Sequence, residues 1–307
     1  MISIISPHAA IDTLYETSIA IGDEQQIYLT PISQTSGGKG VNVARILRLL
    51  DTKARVLTCI GGYLGYKFKS LCQKDAVKIR YIRTKSETRH NFIFCGQSPK
   101  THHELSEPLT EKDCQAYFDM VIEAAKDSPI IVLNGSLNPG LPSDFYHRII
   151  VRLYQQNPES RFILDMNGRL LRNTLSDLSV PIFMIKINRR EWEDWQQTSF
   201  SQAAFSTPSK PYHAAGLECV IVTNGDRAIY CLNGTDTSEI SSISLSEPPL
   251  STMGSGDAFL GGFLWAFKAK QPINRCLHAG VFAAHSYLTK SPCNKKTLHT
   301  ALASVTA

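Results

Sequence analysis

Ser251-Thr-Met-Gly-Ser-Gly-Asp-Ala-Phe-Leu260, continuing through Gly261-Gly-Phe-Leu-Trp265, carries small residues straight into an amphipathic pattern. Ala258, Phe259, Gly262, Phe263 and Ala266 share one face, so the stretch reads as a glycine turn opening a helix. Gly254 and Gly256 let the backbone approach a ligand without a Cβ in the way. The unpaired N–H groups of the first turn, including those of Gly254, Ser255 and Gly256, then form an anion site with the helix dipole. A carboxylate, Asp257, beside an anion site makes sense as the base that takes a proton from a nucleophile attacking that anion. Asp at a helix start is also an ordinary cap, and this stretch alone leaves both readings open.

A second segment, Ser36-Gly-Gly-Lys-Gly-Val-Asn-Val-Ala-Arg-Ile-Leu-Arg-Leu-Leu50, has the same grammar, with Val43, Ala44, Leu47 and Leu50 on one face. It is not a Walker A loop, because Gly40 rather than Ser or Thr follows Lys39, and it has no G-x-G-x-x-G spacing. Two glycine-to-helix turns in one chain suggest two ligands meeting.

Gly37 to Leu47 and Ser251 to Phe263 resemble the two signature segments of the ribokinase-like, phosphofructokinase B carbohydrate kinases. Further matches follow in the family's order. They are Ala10-Ile-Asp12, Thr88-Arg89, Asn134-Gly-Ser-Leu-Asn-Pro-Gly-Leu-Pro142, Ile185-Lys-Ile-Asn-Arg-Arg-Glu191 and Val220-Ile-Val-Thr-Asn-Gly225. The likeness runs from about Ile2 to Leu288 and is nearest to the 1-phosphofructokinase and tagatose-6-phosphate kinase branch. It implies an α/β fold: a ribokinase-like three-layer α/β/α sandwich with a mostly parallel central sheet and a small β-sheet lid, all within one kinase domain spanning 1–307.

The periodicity agrees. Short apolar runs at Ala54–Ile60, Pro129–Leu133, Arg161–Asp165, Pro181–Ile187 and Glu218–Thr223 alternate with helical spacing such as Glu111–Lys126 and Ser143–Gln155. Two segments break the rhythm, Ile11–Gln34 and Val77–His103. They read as strands of a discontinuous small sheet at the mouth of the main domain. Family members use such a sheet as a lid and pair lids in a homodimer. Gln196–Tyr212 reads as a loop.

With 307 residues, 43% of them hydrophobic, the chain can bury a large core, and a net charge of +5 without a basic block gives no nucleic-acid arm. Eight cysteines without a C-x-x-C spacing, Cys59, Cys219 and Cys231 among them in apolar runs, fit reduced buried thiols. No apolar run reaches the length of a membrane span, and the first residues lack a basic n-region, so a cytoplasmic protein is expected.

The resemblance assigns roles residue by residue. Asp257 is the base, and the N–H groups of Gly254, Ser255 and Gly256 stabilise charge on the transferred phosphoryl. Asn188 and Glu191 organise Mg²⁺ and its waters for ATP; by position alone Glu191 could equally complement a helix dipole. Lys186, Thr223 and Gly225 lie on the nucleotide side. Asp12, Gly38, Asn42 and Ser136 face the sugar, although Asp12 and Asn42 also suit turns. Arg89, with Lys39 as a second charge, grips a phosphate already on the acceptor; without the Thr-Arg context it would be an exposed arginine. The adjacent His102 and His103 lack partners at metal-ligand spacing.

The implied reaction is ATP-dependent phosphorylation of a ketohexose phosphate, fructose 1-phosphate first. The alternatives are tagatose-6-phosphate kinase or 6-phosphofructokinase, then a sugar or nucleoside kinase, then a non-catalytic sugar-phosphate-binding regulator. Four departures stand out: His8 in place of the usual Asn-Pro context, Ile187 for a proline, Ala228 for the family's second glycine after Gly225, and a tail without the usual glycine-rich ending.

Overall fold

The computed structural model describes residues 1–16, 29–95, 100–206 and 216–303. Its first strands are β1 (Ile2–His8), β2 (Ala10–Glu16), β3 (Thr30–Gly37), β4 (Ala54–Gly61), β5 (Ile79–Thr84), β6 (Arg89–Cys95) and β7 (Lys100–His103). The rest are β8 (Ile130–Asn134), β9 (Arg161–Asp165), β10 (Met184–Asn188), β11 (Cys219–Thr223), β12 (Ala228–Asn233) and β13 (Asp236–Ser241). Among the described residues, nine strands form one sheet in the order β13-β12-β11-β10-β9-β8-β1-β4-β5. All its pairs are parallel except β11–β12 and β12–β13.

Strand alternation sends side chains to two separate cores. Ile2, Ile4, Val56, Val132, Met184 and Ile221 go to one face, and Ile5, Leu57, Leu133, Ile185 and Val222 to the other. A sheet buried on both faces reads as continuous apolar runs, and that is what made these strands legible. The first face is covered by α1 (Lys39–Leu49), α2 (Gly62–Lys74) and three later helices, which we number α8 (Ser255–Lys268), α9 (Ile273–Leu288) and α10 (Lys295–Ala303). The second is covered by α3 (Glu111–Ala125), α4 (Phe145–Gln156), α5 (Gly168–Leu175), α6 (Arg189–Gln196) and α7 (Gln202–Ser206). The result is the expected three-layer α/β/α sandwich.

A small sheet, in the order β3-β2-β6-β7, stands apart. It differs from expectation in its second segment. Ile79–Thr84 pairs parallel with β4 as the edge of the main sheet, so the contribution to the small sheet starts at Arg89. An edge strand has one sheet neighbour and shows the polar alternation of an exposed sheet, which is why the sequence misled. Residues 17–28 of the first expected segment lie outside the described residues. The expected loop after Gln196 contains the one-turn helix α7, and its later part, 207–215, is likewise outside them.

The topology places the site. From β1 the chain adds β4 and β5 on one side and then crosses to β8 on the other, so the winding reverses beside β1. Ligands of open α/β sheets bind at the carboxyl ends of the strands at such a reversal. His8, Asp165, Asn188 and Thr223 are the last residues of β1, β9, β10 and β11.

Candidate active site

Helix α8 starts without a side-chain cap. Its N-cap is Gly254, left-handed at φ 87, a conformation that favours glycine. Asp257 therefore does not cap, and that alternative falls. Its carboxylate is 6% exposed, and Oδ2 accepts from Asn42 Nδ2 at 2.8 Å. Burial, then the nearby charge of Asp165, holds its pKa up at about 6, against the pull of Lys39, Lys186 and Asn42. A carboxyl poised there suits a general base near neutral pH. The N–H groups of Gly254, Gly256 and Asp257 donate to no described residue, so they are free for an anion. Ser255 differs from expectation: its N–H bonds Thr252 O at 3.2 Å, as a turn leading into the helix requires.

Beside this helix end lies a cluster of buried charge. Lys39 Nζ, from the first turn of α1, is 2.7 Å from Asp165 Oδ1 and 3.2 Å from Glu191 Oε1. Lys186 Nζ is 3.5 Å from Asp165 Oδ2, which has no hydrogen bond. Lys186 also reaches α8: a Cβ on Gly256 would stand 2.8 Å from its Nζ, which would have to give way. Burial works against the Lys39 charge, yet Asp165, Glu191 and Asp257 raise its pKa; the two lysines in turn hold Asp165 ionised against its own burial. Breaking such a buried pair typically costs ~3–5 kcal/mol. An apolar core would not need this arrangement, and such charge clusters are enriched at functional sites.

Glu191 takes the helix-end role considered for it. Its Oε2 accepts the Asn188 N–H at 2.9 Å while Asn188 Oδ1 accepts the Glu191 N–H at 2.9 Å, a reciprocal cap on α6. Its other oxygen faces Lys39. Hard carboxylate oxygens from Glu191 and Asp165, one of them without a hydrogen bond, fit a hard divalent cation. Among the described residues no group of three or more His, Cys, Asp or Glu side chains could hold a metal alone, so a cation here would need further oxygens from outside the protein.

A second cluster gathers at the small sheet. Asp12 Oδ1 accepts from Asn91 Nδ2 at 2.6 Å, and Asn91 Oδ1 meets His103 Nδ1 at 2.9 Å, which gives His103 a structural partner. Burial raises the Asp12 pKa, although Asn91 and Arg89 oppose it. Thr88 Oγ1 accepts the Gly61 N–H and anchors the start of β6. Arg89 follows it half-buried, rather than as an exposed surface arginine, with Nε buried and unpaired. Ser136 Oγ bonds His8 Nδ1 at 2.9 Å. Lys39 does not stand with Arg89 as expected, because its ammonium is drawn to Asp165 and Glu191 across the cleft.

The glycine turn before α1 joins the clusters. Gly38 at φ 103 opens the helix, Arg45 bonds both Ser36 O and Asn42 Oδ1, and Asn42 bonds Asp257. Thr223 is register partner to Asn188 and its Oγ1 donates to Ile187 O, and Gly225 turns at φ 61 beyond it. Asp165, Asn91 and Arg45 were not singled out from sequence. Asp165 left one signal, an acid ending an otherwise apolar strand.

Three comparisons bear on this arrangement. The profile of the pfkB family carbohydrate kinases matches residues 9–300. The chain is 26% identical over 251 residues to 1-phosphofructokinase of Bacillus subtilis (strain 168), covering 80% of this chain and 78% of that protein. It is 25% identical over 253 residues to 1-phosphofructokinase of Borreliella burgdorferi, covering 81% and 79%. Its fold matches the tetrameric inhibited form of phosphofructokinase-2 from Escherichia coli with a TM-score of 0.85 at 21% identity, over 98% of each chain. The buried acid at an open helix end and the ordered motifs around it thus have a family context: this chain belongs to the pfkB family of carbohydrate kinases.

Proposed function

We propose that the protein transfers the γ-phosphoryl group of ATP to a hydroxyl of a ketohexose phosphate, with fructose 1-phosphate as the leading acceptor. The observation that carries this is Asp257: a buried carboxyl that caps nothing, beside free N–H groups and between the two polar clusters. Asp257 accepts the proton of the attacking hydroxyl. The new O–P bond forms as the bond to the β-phosphate breaks, and ADP departs. The N–H groups of Gly254 and Gly256, with Lys39 and Lys186, stabilise charge on the transferring group. Asp12, Gly38, Asn42 and Ser136 hold the sugar, and Thr223 and Gly225 stand on the nucleotide side.

Glu191 and Asn188, with Asp165 behind them, would hold Mg²⁺ through water, and the metal would neutralise phosphate charge. Glu191→Gln is expected to raise the Mg²⁺ concentration at half-maximal rate roughly ten-fold. The sugar phosphate KM should stay within about two-fold, because the amide retains the reciprocal cap with Asn188. Metal titration of the variant is the check; an unchanged curve would leave Glu191 only its helix role.

The choice of acceptor rests on Arg89 and on the names of the curated relatives; tagatose 6-phosphate and fructose 6-phosphate follow. The small sheet acts as a lid over the acceptor and pairs with a second copy. Among the described residues no strand lies beyond its edge strands β3 and β7, and Ile32 is 45% exposed, so light scattering should give a dimer or a dimer of dimers rather than a monomer. Phosphorus NMR tests the transfer itself: ATP and fructose 1-phosphate should give ADP and a bisphosphate in equal amounts, and ADP with inorganic phosphate alone would refute it.

A further inference from the structure

Asn42 and Arg45 are three residues apart on α1, a spacing that puts both side chains on one face of the helix. Asn42 reaches the base on one side: its Nδ2 donates to Asp257 Oδ2 at 2.8 Å. From the other side, Arg45 Nη1 donates to Asn42 Oδ1 at 2.9 Å. The same guanidinium donates through Nη2 to Ser36 O at 2.8 Å and to Ser36 Oγ at 3.0 Å. Its Nε stands 2.9 Å from Asp75 Oδ2 in an ion pair. One side chain thus joins the end of β3, the C-cap of α2 and the amide behind the base.

The chemistry of these partners fixes which way the Asn42 amide points. A guanidinium donates and never accepts, so it takes the amide oxygen. The amide nitrogen is then left for the carboxylate, which accepts. Turned by half a rotation, the amide would set donor against donor at Arg45 and acceptor against acceptor at Asp257. Arg45 is the group that makes this turn costly. The charges that bear most on Asp257 directly are those of Asp165, Lys39 and Lys186, so the influence of Arg45 passes through the amide. Asn42 occupies Oδ2, and among the described residues Asp257 Oδ1 accepts no hydrogen bond. Oδ1 is therefore the oxygen left for the proton of an attacking hydroxyl.

Resting on the kinase reading above, we propose that Arg45 is a positioning residue for the base: it locks the Asn42 amide so that Asp257 presents one fixed oxygen to the acceptor hydroxyl. The test is steady-state kinetics with ATP and fructose 1-phosphate on Arg45→Met, Asn42→Ala and the double variant. Methionine keeps much of the stem and removes every donor. Arg45→Met should lower kcat by about 10–100-fold, the scale of loss that a small misplacement of reacting groups brings. The KM values for ATP and fructose 1-phosphate should stay within about three-fold, because the contact acts in the transition state. Asn42→Ala should lower kcat by a comparable factor. Adding Arg45→Met to it should cost less than about two-fold more, since the path from guanidinium to base is already cut. Arg45→Lys keeps the charge and a donor without the fork, and its kcat should fall between Arg45→Met and wild type. Should Arg45→Met fail to fold, Arg45→Lys takes its place in the same cycle with Asn42→Ala. Losses that multiply in the double variant, or wild-type kcat in Arg45→Met, would overturn the proposal and leave Arg45 a tether between α1, α2 and β3. A wild-type protein inert toward every phosphosugar would overturn the kinase reading and this proposal with it, and is told apart because the unmutated chain fails.

Discussion

Asp257→Asn is expected to lower kcat by about 10²–10⁴-fold, the contribution typical of a positioned base. The amide keeps the size of the side chain and can still bond Asn42, so calorimetric affinities for sugar phosphate and nucleotide should stay within a few-fold. The wild-type kcat/KM should fall below about pH 6, where burial and Asp165 place the carboxyl's protonation. Stability should move the other way. The folded pKa of about 6 lies above the ordinary 3.8, so the folded state holds the proton more tightly than the unfolded one. Wild-type stability from this group is therefore full below about pH 4 and lost as pH rises through 6. Asp257→Asn escapes that loss and should melt higher than wild type at pH 8, by about 2 °C or more, with the gap closing below pH 4. A variant retaining more than about a tenth of wild-type kcat would remove Asp257 from the base role. Loss of binding together with turnover would make it structural.

Arg89→Ala should raise the KM for fructose 1-phosphate by about 10–100-fold, the equivalent of a charge-assisted hydrogen bond of roughly 1.5–3 kcal/mol. Arg89 is half-buried at the start of β6, and its Nε has no partner among the described residues. Activity on free fructose, however low, should barely change. The difference between the substrates is the informative quantity, since general damage to the small sheet would weaken both alike. Equal losses would refute phosphate recognition by Arg89.

The fold was legible because nearly every central strand is buried on both faces and reads as an unbroken apolar run. Where a strand has a single neighbour, as Ile79–Thr84 does, polar alternation disguises it as part of a separate sheet. The hairpin joining β12 to β13 left a signal that went unread, Asn233-Gly234 with Gly234 at φ 60. In the site, Asp257 announced itself because local sequence alone builds a glycine turn into a helix and makes an acid there conspicuous. Asp165 did not, because an acid ending a strand is ordinary until Lys39 and Lys186 are seen to converge on it. Lys39 was misplaced for the same reason: a sequence shows that a lysine follows two glycines, but its partner is chosen in three dimensions. His8 registered only as a departure from pattern, and its two serine partners come from distant segments.

The central claim is phosphoryl transfer to a phosphosugar, and an ADP-release assay on the wild-type protein tests it most directly. Fructose 1-phosphate, fructose 6-phosphate, tagatose 6-phosphate, fructose, ribose and adenosine are compared side by side with ATP and Mg²⁺. Turnover should be highest on fructose 1-phosphate, with kcat/KM for the phosphosugars at least ten-fold above that for any unphosphorylated acceptor, in keeping with the contribution expected of Arg89. Strong turnover of free ribose or adenosine with none of the three phosphosugars would contradict it.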